Sequence, residues 1–182
     1  SGDCTMPRLP YVPADLAEPK DVVQAIRARR GGELGELDRM LLHCPPVAMG
    51  WNTMMGTVRR DMTLSPKLRE LAMCVVAMLN KAEYEWVQHA PLLKAAGASD
   101  EQMKALREPV GALTQPELFD AAERAAIALT IEMTRTVEVS DSTFAAVKAS
   151  LPNDRQVFEL IMTIAAYNMV SRILVATGVQ PE

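Results

Sequence analysis

The sequence predicts an all-α fold, and three observations carry that prediction. Ala, Leu and Met dominate the apolar residues, with 12 methionines and only 4% aromatics, and all three favour helix. Helix start and stop signals recur along most of the chain. No alternation of four or more apolar and polar residues marks a strand.

Taken in order, Pro7, Pro10, Pro13 and Pro19 hold residues 1–20 extended. This stretch reads as an arm lying on its own domain or on a neighbouring subunit. A first helix spans 21–30 and stops at Gly31-Gly32. A short helix at 37–43 follows, and Pro45-Pro46 then opens a third that runs to residue 60, since proline suits a first helical turn. Ser65-Pro66 is a strong start for a helix over 66–80. Its stretch LAMCVVAML is apolar on every side, the signature of a core helix. The next helix covers 83–96 and ends at Gly97, and Ser99 caps DEQMKAL. The second half repeats the plan, with helices at 117–136, after Ser140, and at 154–176 before Gly178. Residues 21–182 therefore read as a single helical domain with coarse halves 36–110 and 116–179.

Charge and composition narrow the function. The net charge is −4 with no long Lys/Arg block, which argues against a nucleic-acid partner. No apolar run approaches the ~18–20 residues of a membrane span, so no membrane partner is expected. The proline-rich N-terminus has no apolar leader segment. Cys4, Cys44 and Cys74 are odd in number and form no CxxC pair, which fits neither a disulfide framework nor a structural zinc site. A reducing cytoplasm is the simplest compartment.

One polar constellation stands out. At ~100° per residue, Glu85 and His89 fall on one arc with Ala82, Leu92, Leu93 and Ala96, while Glu83 and Lys94 fall opposite. That arc must seek the core, so Glu85 and His89 lie in line with a buried stripe, one turn apart and able to touch. Two readings stay open: a pair on the helix rim, or an imidazole set beside a carboxylate as a general base. Glu70 sits near the start of the preceding, core-like helix, on a face with Cys74, Ala77 and Met78. It either favours the helix dipole and pairs with Lys67 or Arg69, or joins the site. Cys74 reads first as a small buried hydrophobe. Tyr84 and Trp86 are packing residues able to line a pocket. His43-Cys44 lacks supporting neighbours for a metal or nucleophile role.

The segment LRELAMCVVAMLNKAEYEWVQHAPLLKAAGASDEQMKAL, together with VFELIMTIAAYNMVSRILVATGV, resembles the carboxymuconolactone decarboxylase-like family, which includes alkylhydroperoxidase D. The likeness runs over about 38–179. The peroxidase motif is a Glu, then Cys-x-x-Cys, then a His. On this chain the Glu falls on Glu70, the two cysteines on Ala82 and Glu85, and the His on His89. The charged frame is kept and both thiols are gone.

The resemblance implies an orthogonal bundle of about eight helices, with the Glu70 helix at its centre, assembled as a homo-oligomer (dimer, trimer or hexamer). It implies Glu70, Glu85 and His89 as the catalytic set, with Cys74, Tyr84, Trp86 and Arg172 as possible pocket residues. Arg172 or Arg69 would anchor a substrate carboxylate. No cofactor and no metal are expected. The expected chemistry is decarboxylation or isomerisation of a small lactone or carbonyl acid by proton transfer. The alternatives are a residual peroxidase using Cys74 or Cys44, and a binding or scaffold protein on the same fold.

Overall fold

A computed structural model describes residues 6–181. Cys4 and the first residues of the arm lie outside them. Among the described residues there are ten helices and no strand. They are α1 (Lys20–Arg30), α2 (Glu36–Leu41), α3 (Pro45–Arg60), α4 (Pro66–Leu79), α5 (Glu83–Ala95), α6 (Asp100–Ala105), α7 (Pro109–Ala112), α8 (Ala121–Arg135), α9 (Asp141–Ser150) and α10 (Asp154–Thr177).

Ten helices replace the expected eight or so, for local reasons. Pro109 starts α7, a single turn whose own sequence carries no amphipathic period. The helix expected from 117 starts instead at Ala121, because the Asp120 carboxylate accepts the Glu123 N–H at 2.8 Å and so defines the cap.

The chain divides into two compact units, one of residues 6–62 with 174–180 and the other of residues 63–173. In the first, α3 packs with α1 and α2. The described part of the arm is fastened to this unit. Arg8 N–H donates to the Thr177 carbonyl at 2.7 Å, Val12 N–H to Arg39 at 3.2 Å, and Arg27 reaches the Ala14 and Leu16 carbonyls.

The second unit is built on α4, which packs against α5 and α8, with α9 laid on α8. Ser65 caps α4 by accepting the Leu68 N–H at 3.2 Å, and Pro66 fills the first turn. From Leu71 to Ala77 no residue of α4 exceeds 1% exposure, as its all-round apolar sequence requires. The turn into α5 passes through Lys81 at φ 54°. This residue stands in the left-handed conformation that usually ends a helix at glycine. It reverses the chain and lays α5 back along α4.

α10 corrects one expectation. Its 24 residues include a window of mean hydropathy 1.5, long and apolar enough to cross a bilayer by length and composition, although 44% of that window is buried in the protein. Glu159, Thr163 and Ser171 of this helix are buried, and each is hydrogen-bonded, as polar groups withdrawn from water must be.

Candidate active site

Three buried polar side chains stand on two adjacent helices inside the second unit. Glu70 stands on the second turn of α4, Glu85 and His89 on successive turns of α5, and they are 3%, 1% and 5% exposed. The closest contact joins the two helices: His89 Nδ1 lies 2.7 Å from Glu70 Oε2. A carboxylate that accepts from Nδ1–H fixes the tautomer and the ring plane, and leaves proton exchange to Nε2. The other Glu70 oxygen is 3.4 Å from Arg69 Nε. Glu70 thus stands between a permanent cation and an imidazole, which is how a carboxylate survives burial.

Tyr167, fully buried on α10, sets its ring edge-on to His89, with centroids 4.9 Å apart and planes at 88°. The ring is therefore held on one edge by Glu70 and flanked by an aromatic wall. Tyr167 is not among the residues that the sequence singles out. The available signal was a tyrosine in the most apolar helix, where a buried hydroxyl demands a reason.

Cys74 lies one turn beyond Glu70 and is fully buried. Burial pushes its thiol well above the ordinary thiol range, and the charges of Glu70 and Glu85 push it further. Among the described residues, no group of three or more His, Cys, Asp or Glu side chains is arranged to hold a metal ion.

The buried face of α5 differs from the expected stripe. Leu93 is fully buried and Leu92 is 51% exposed. The arc is turned toward Ala82, Trp86, His89 and Leu93, with Glu85 at its edge. Pro91 stands inside this helix, where it removes one backbone bond. Tyr84 and Trp86 are both buried. The guanidinium of Arg107 stacks 4.5 Å over Trp86 and also bonds Glu83 at 3.2 Å, so a cation covers one face of that ring. Arg172 is exposed, and its guanidinium turns back along α10 to the Asn168 carbonyl and side chain. Arg69, not Arg172, is the arginine at Glu70.

Residues 45–132 match the carboxymuconolactone decarboxylase family. The match spans a little under half of the chain, which is similar to that family over this segment. No curated protein sequence matches it. Among solved structures, an uncharacterized peroxidase-related protein from Silicibacter sp. TM1040 is similar at TM-score 0.79 and 19% identity, covering 98% of this chain and 95% of its own. The alkylhydroperoxidase D core of an uncharacterized peroxidase-related protein from Ralstonia eutropha JMP134 is similar at 0.80 and 19%, covering 98% and 93%. The debrominase Bmp8 in complex with 2,3,4-tribromopyrrole is similar at 0.78 and 14%, covering 96% and 92%. At these identities the likeness establishes the alkylhydroperoxidase D-like fold. Within the matched segment, the positions that the resemblance gives to the two motif thiols hold Ala82 and Glu85.

Proposed function

We propose that the protein is a proton-transfer enzyme that decarboxylates or isomerises a small lactone or carbonyl acid. The observation that carries this reading is the buried 2.7 Å contact between Glu70 and His89 Nδ1. An imidazole oriented by a carboxylate is a competent acid or base at neutral pH. In decarboxylation, the bond to the departing carbon dioxide leaves its electron pair on the substrate as an enolate. Protonated His89 then delivers a proton from Nε2 to carbon and recovers one from solvent. In isomerisation the same nitrogen removes and returns a proton. Glu85, one turn away, serves as the second proton-handling group, and Glu70 keeps the ring in register.

The test is carbon dioxide release, or a shift of the double bond, from carboxylated lactones. His89→Ala abolishes turnover on this reading, and full turnover in that variant would remove His89 from the mechanism. Homo-oligomeric assembly and a cytoplasmic setting belong to the same proposal, and light scattering on the purified chain tests the first.

One observation favours a second reading. Glu70, Glu85 and His89 are each at most 5% exposed, and a closed polar core suits a binding or scaffold protein that no longer turns over. Unchanged activity, at zero, across the lactone panel together with a large stability loss in His89→Ala would support it. A thiol peroxidase is less well served. It needs a thiolate, and Cys74 is held protonated by burial and two acids. Peroxide treatment followed by mass analysis decides, since sulfenic acid or disulfide at Cys44 or Cys74 would revive it.

A further inference from the structure

Outside the carboxylate–imidazole pair, the first unit holds a basic cavity that the proposed reaction does not use. It is an open depression of about 410 Å³ between the last turn of α1 and the second half of α3, and Arg29, Asn52, Thr53, Thr57, Arg60 and Asp61 line it. Arg29 is the unusual member. Its side chain is only 8% exposed, yet a guanidinium carries five N–H donors. Its Nε donates to Asn52 Oδ1. Asp38, the nearest carboxylate, stays 3.9 Å from Arg29 Nη2. The oxygens of Asp38 are taken by Arg30 at 3.0 and 3.2 Å and by the Gly35 N–H at 2.8 Å. No other protein acceptor reaches the Nη groups of Arg29 among the described residues.

Arg60 stands across Gly56 from Arg29. A Cβ built on Gly56 would lie 3.7 Å from Arg29 Cδ and 4.0 Å from Arg60 Nη2. The two cationic side chains therefore flank a bare stretch of α3. Arg60 takes part in no ion pair or side-chain hydrogen bond among the described residues. The Thr53 and Thr57 hydroxyls donate to the Met49 and Thr53 carbonyls, so the spare donors at this cavity belong to the arginines.

Helix dipoles account for basic residues in the last turns of α1 and α3. They do not account for burying one of them with donors to spare. Burial, and then the charges of Arg30, Arg59 and Arg60, lower the Arg29 pKa to about 10, with Asp38 alone opposing. A buried cation among like charges is costly, and an oxyanion would relieve that cost by fork-type hydrogen bonds.

We propose that this cavity binds a small oxyanion, a carboxylate or a phosphate group, between Arg29 and Arg60. Asp61 at its edge limits the affinity for strongly charged ligands. The site is independent of the proposed proton-transfer chemistry.

The experiment is calorimetric titration of the wild-type chain at low ionic strength with inorganic phosphate and, separately, with succinate, against sodium chloride at matched ionic strength. The expected result is saturable binding of at least one probe beyond the chloride control, and a rise in Tm with that probe. Binding of phosphate alone points to a phosphate-bearing ligand, and binding of succinate alone to a carboxylate. Arg60→Gln, an exposed change, should weaken binding at least tenfold without altering Tm in plain buffer. Asp61→Asn should tighten it. Gly56→Leu, for which the first side-chain carbon has room, should block it. A response to both probes no greater than to chloride, or equal affinity in Arg60→Gln, would overturn the proposal.

Discussion

Glu70 and Glu159 are both buried carboxylates of the second unit, and they are solvated in opposite ways. Glu159 is surrounded by donors. It accepts from Thr63 N–H at 2.6 Å, Thr63 hydroxyl at 2.8 Å, Leu64 N–H at 3.0 Å and Arg155 Nε at 2.9 Å. Glu70 has one partner that can itself exchange a proton, His89 at 2.7 Å, and one longer contact to Arg69. Backbone amides, a hydroxyl and an arginine lock a charge in place, whereas an imidazole shares it. The two carboxylates differ in the number and kind of their donors, although burial and residue type are the same.

The largest expected effect comes from crossing the two. Glu70→Gln should cut turnover of a carboxylated lactone by about 10²–10⁴-fold, the usual weight of a general acid–base group. Glu159→Gln should leave the rate constant of the folded enzyme within a few-fold. Equal rate losses in both variants would erase the distinction.

The second effect concerns thiols. Cys44 is exposed and Cys74 is buried, and burial with two neighbouring acids holds Cys74 protonated. Iodoacetamide followed by peptide mass mapping should label Cys44 at least about a hundredfold faster than Cys74 in the native state, because the thiolate is the nucleophile. Comparable rates would mean that the Glu70, Glu85 and Cys74 cluster is open to solvent.

Third, urea unfolding should show Glu159→Gln destabilised by about 2–3 kcal/mol, since it leaves buried donors without their charged acceptor. The pH dependence follows with a definite sign. Burial works against ionisation of Glu159, but the hydrogen bonds from Leu64, Thr63 and Arg155 outweigh it and lower its pKa. Its contribution is therefore complete above the unfolded glutamate pKa of about 4.3 and is lost as pH falls through the folded value. Wild type and Glu159→Gln should converge in stability in acid. A constant gap down to the lowest pH at which the chain stays folded would mean that the carboxylate charge plays no part.

The smallest effect tests backbone strain away from both carboxylates. Val137, just past the end of α8, has φ 66° and is 80% exposed. A β-branched residue in the left-handed region is strained. Val137→Gly should stabilise the chain by about 1 kcal/mol, read as an upward shift of the unfolding midpoint. Unchanged stability would place the cost of that turn elsewhere.

Much of this molecule is legible locally. Ser65-Pro66 sets the start of α4 because a hydroxyl cap and a first-turn proline act within one turn. The apolar run from Leu71 to Ala77 must be buried wherever it packs. The spacing of Glu85 and His89 puts them on neighbouring turns in any helix. What lies between helices was not legible. The sequence places Glu85 one turn from His89 and offers Glu70, from the neighbouring helix, to orient His89 or a water. The structure sets Glu70, 19 positions earlier in the chain, 2.7 Å from the ring, because the turn at Lys81 lays α5 against α4. Leu92 and Leu93 are equivalent by composition, and only the rotation of α5 against its neighbours buries one and exposes the other. Tyr167 reaches His89 from α10, 78 residues away in the sequence. Helix positions and the list of polar candidates were set by the sequence itself, through short-range hydrogen bonding and the period of the helix. Which candidate touches which, and so which donors each buried carboxylate meets, was decided by packing between helices distant in the chain.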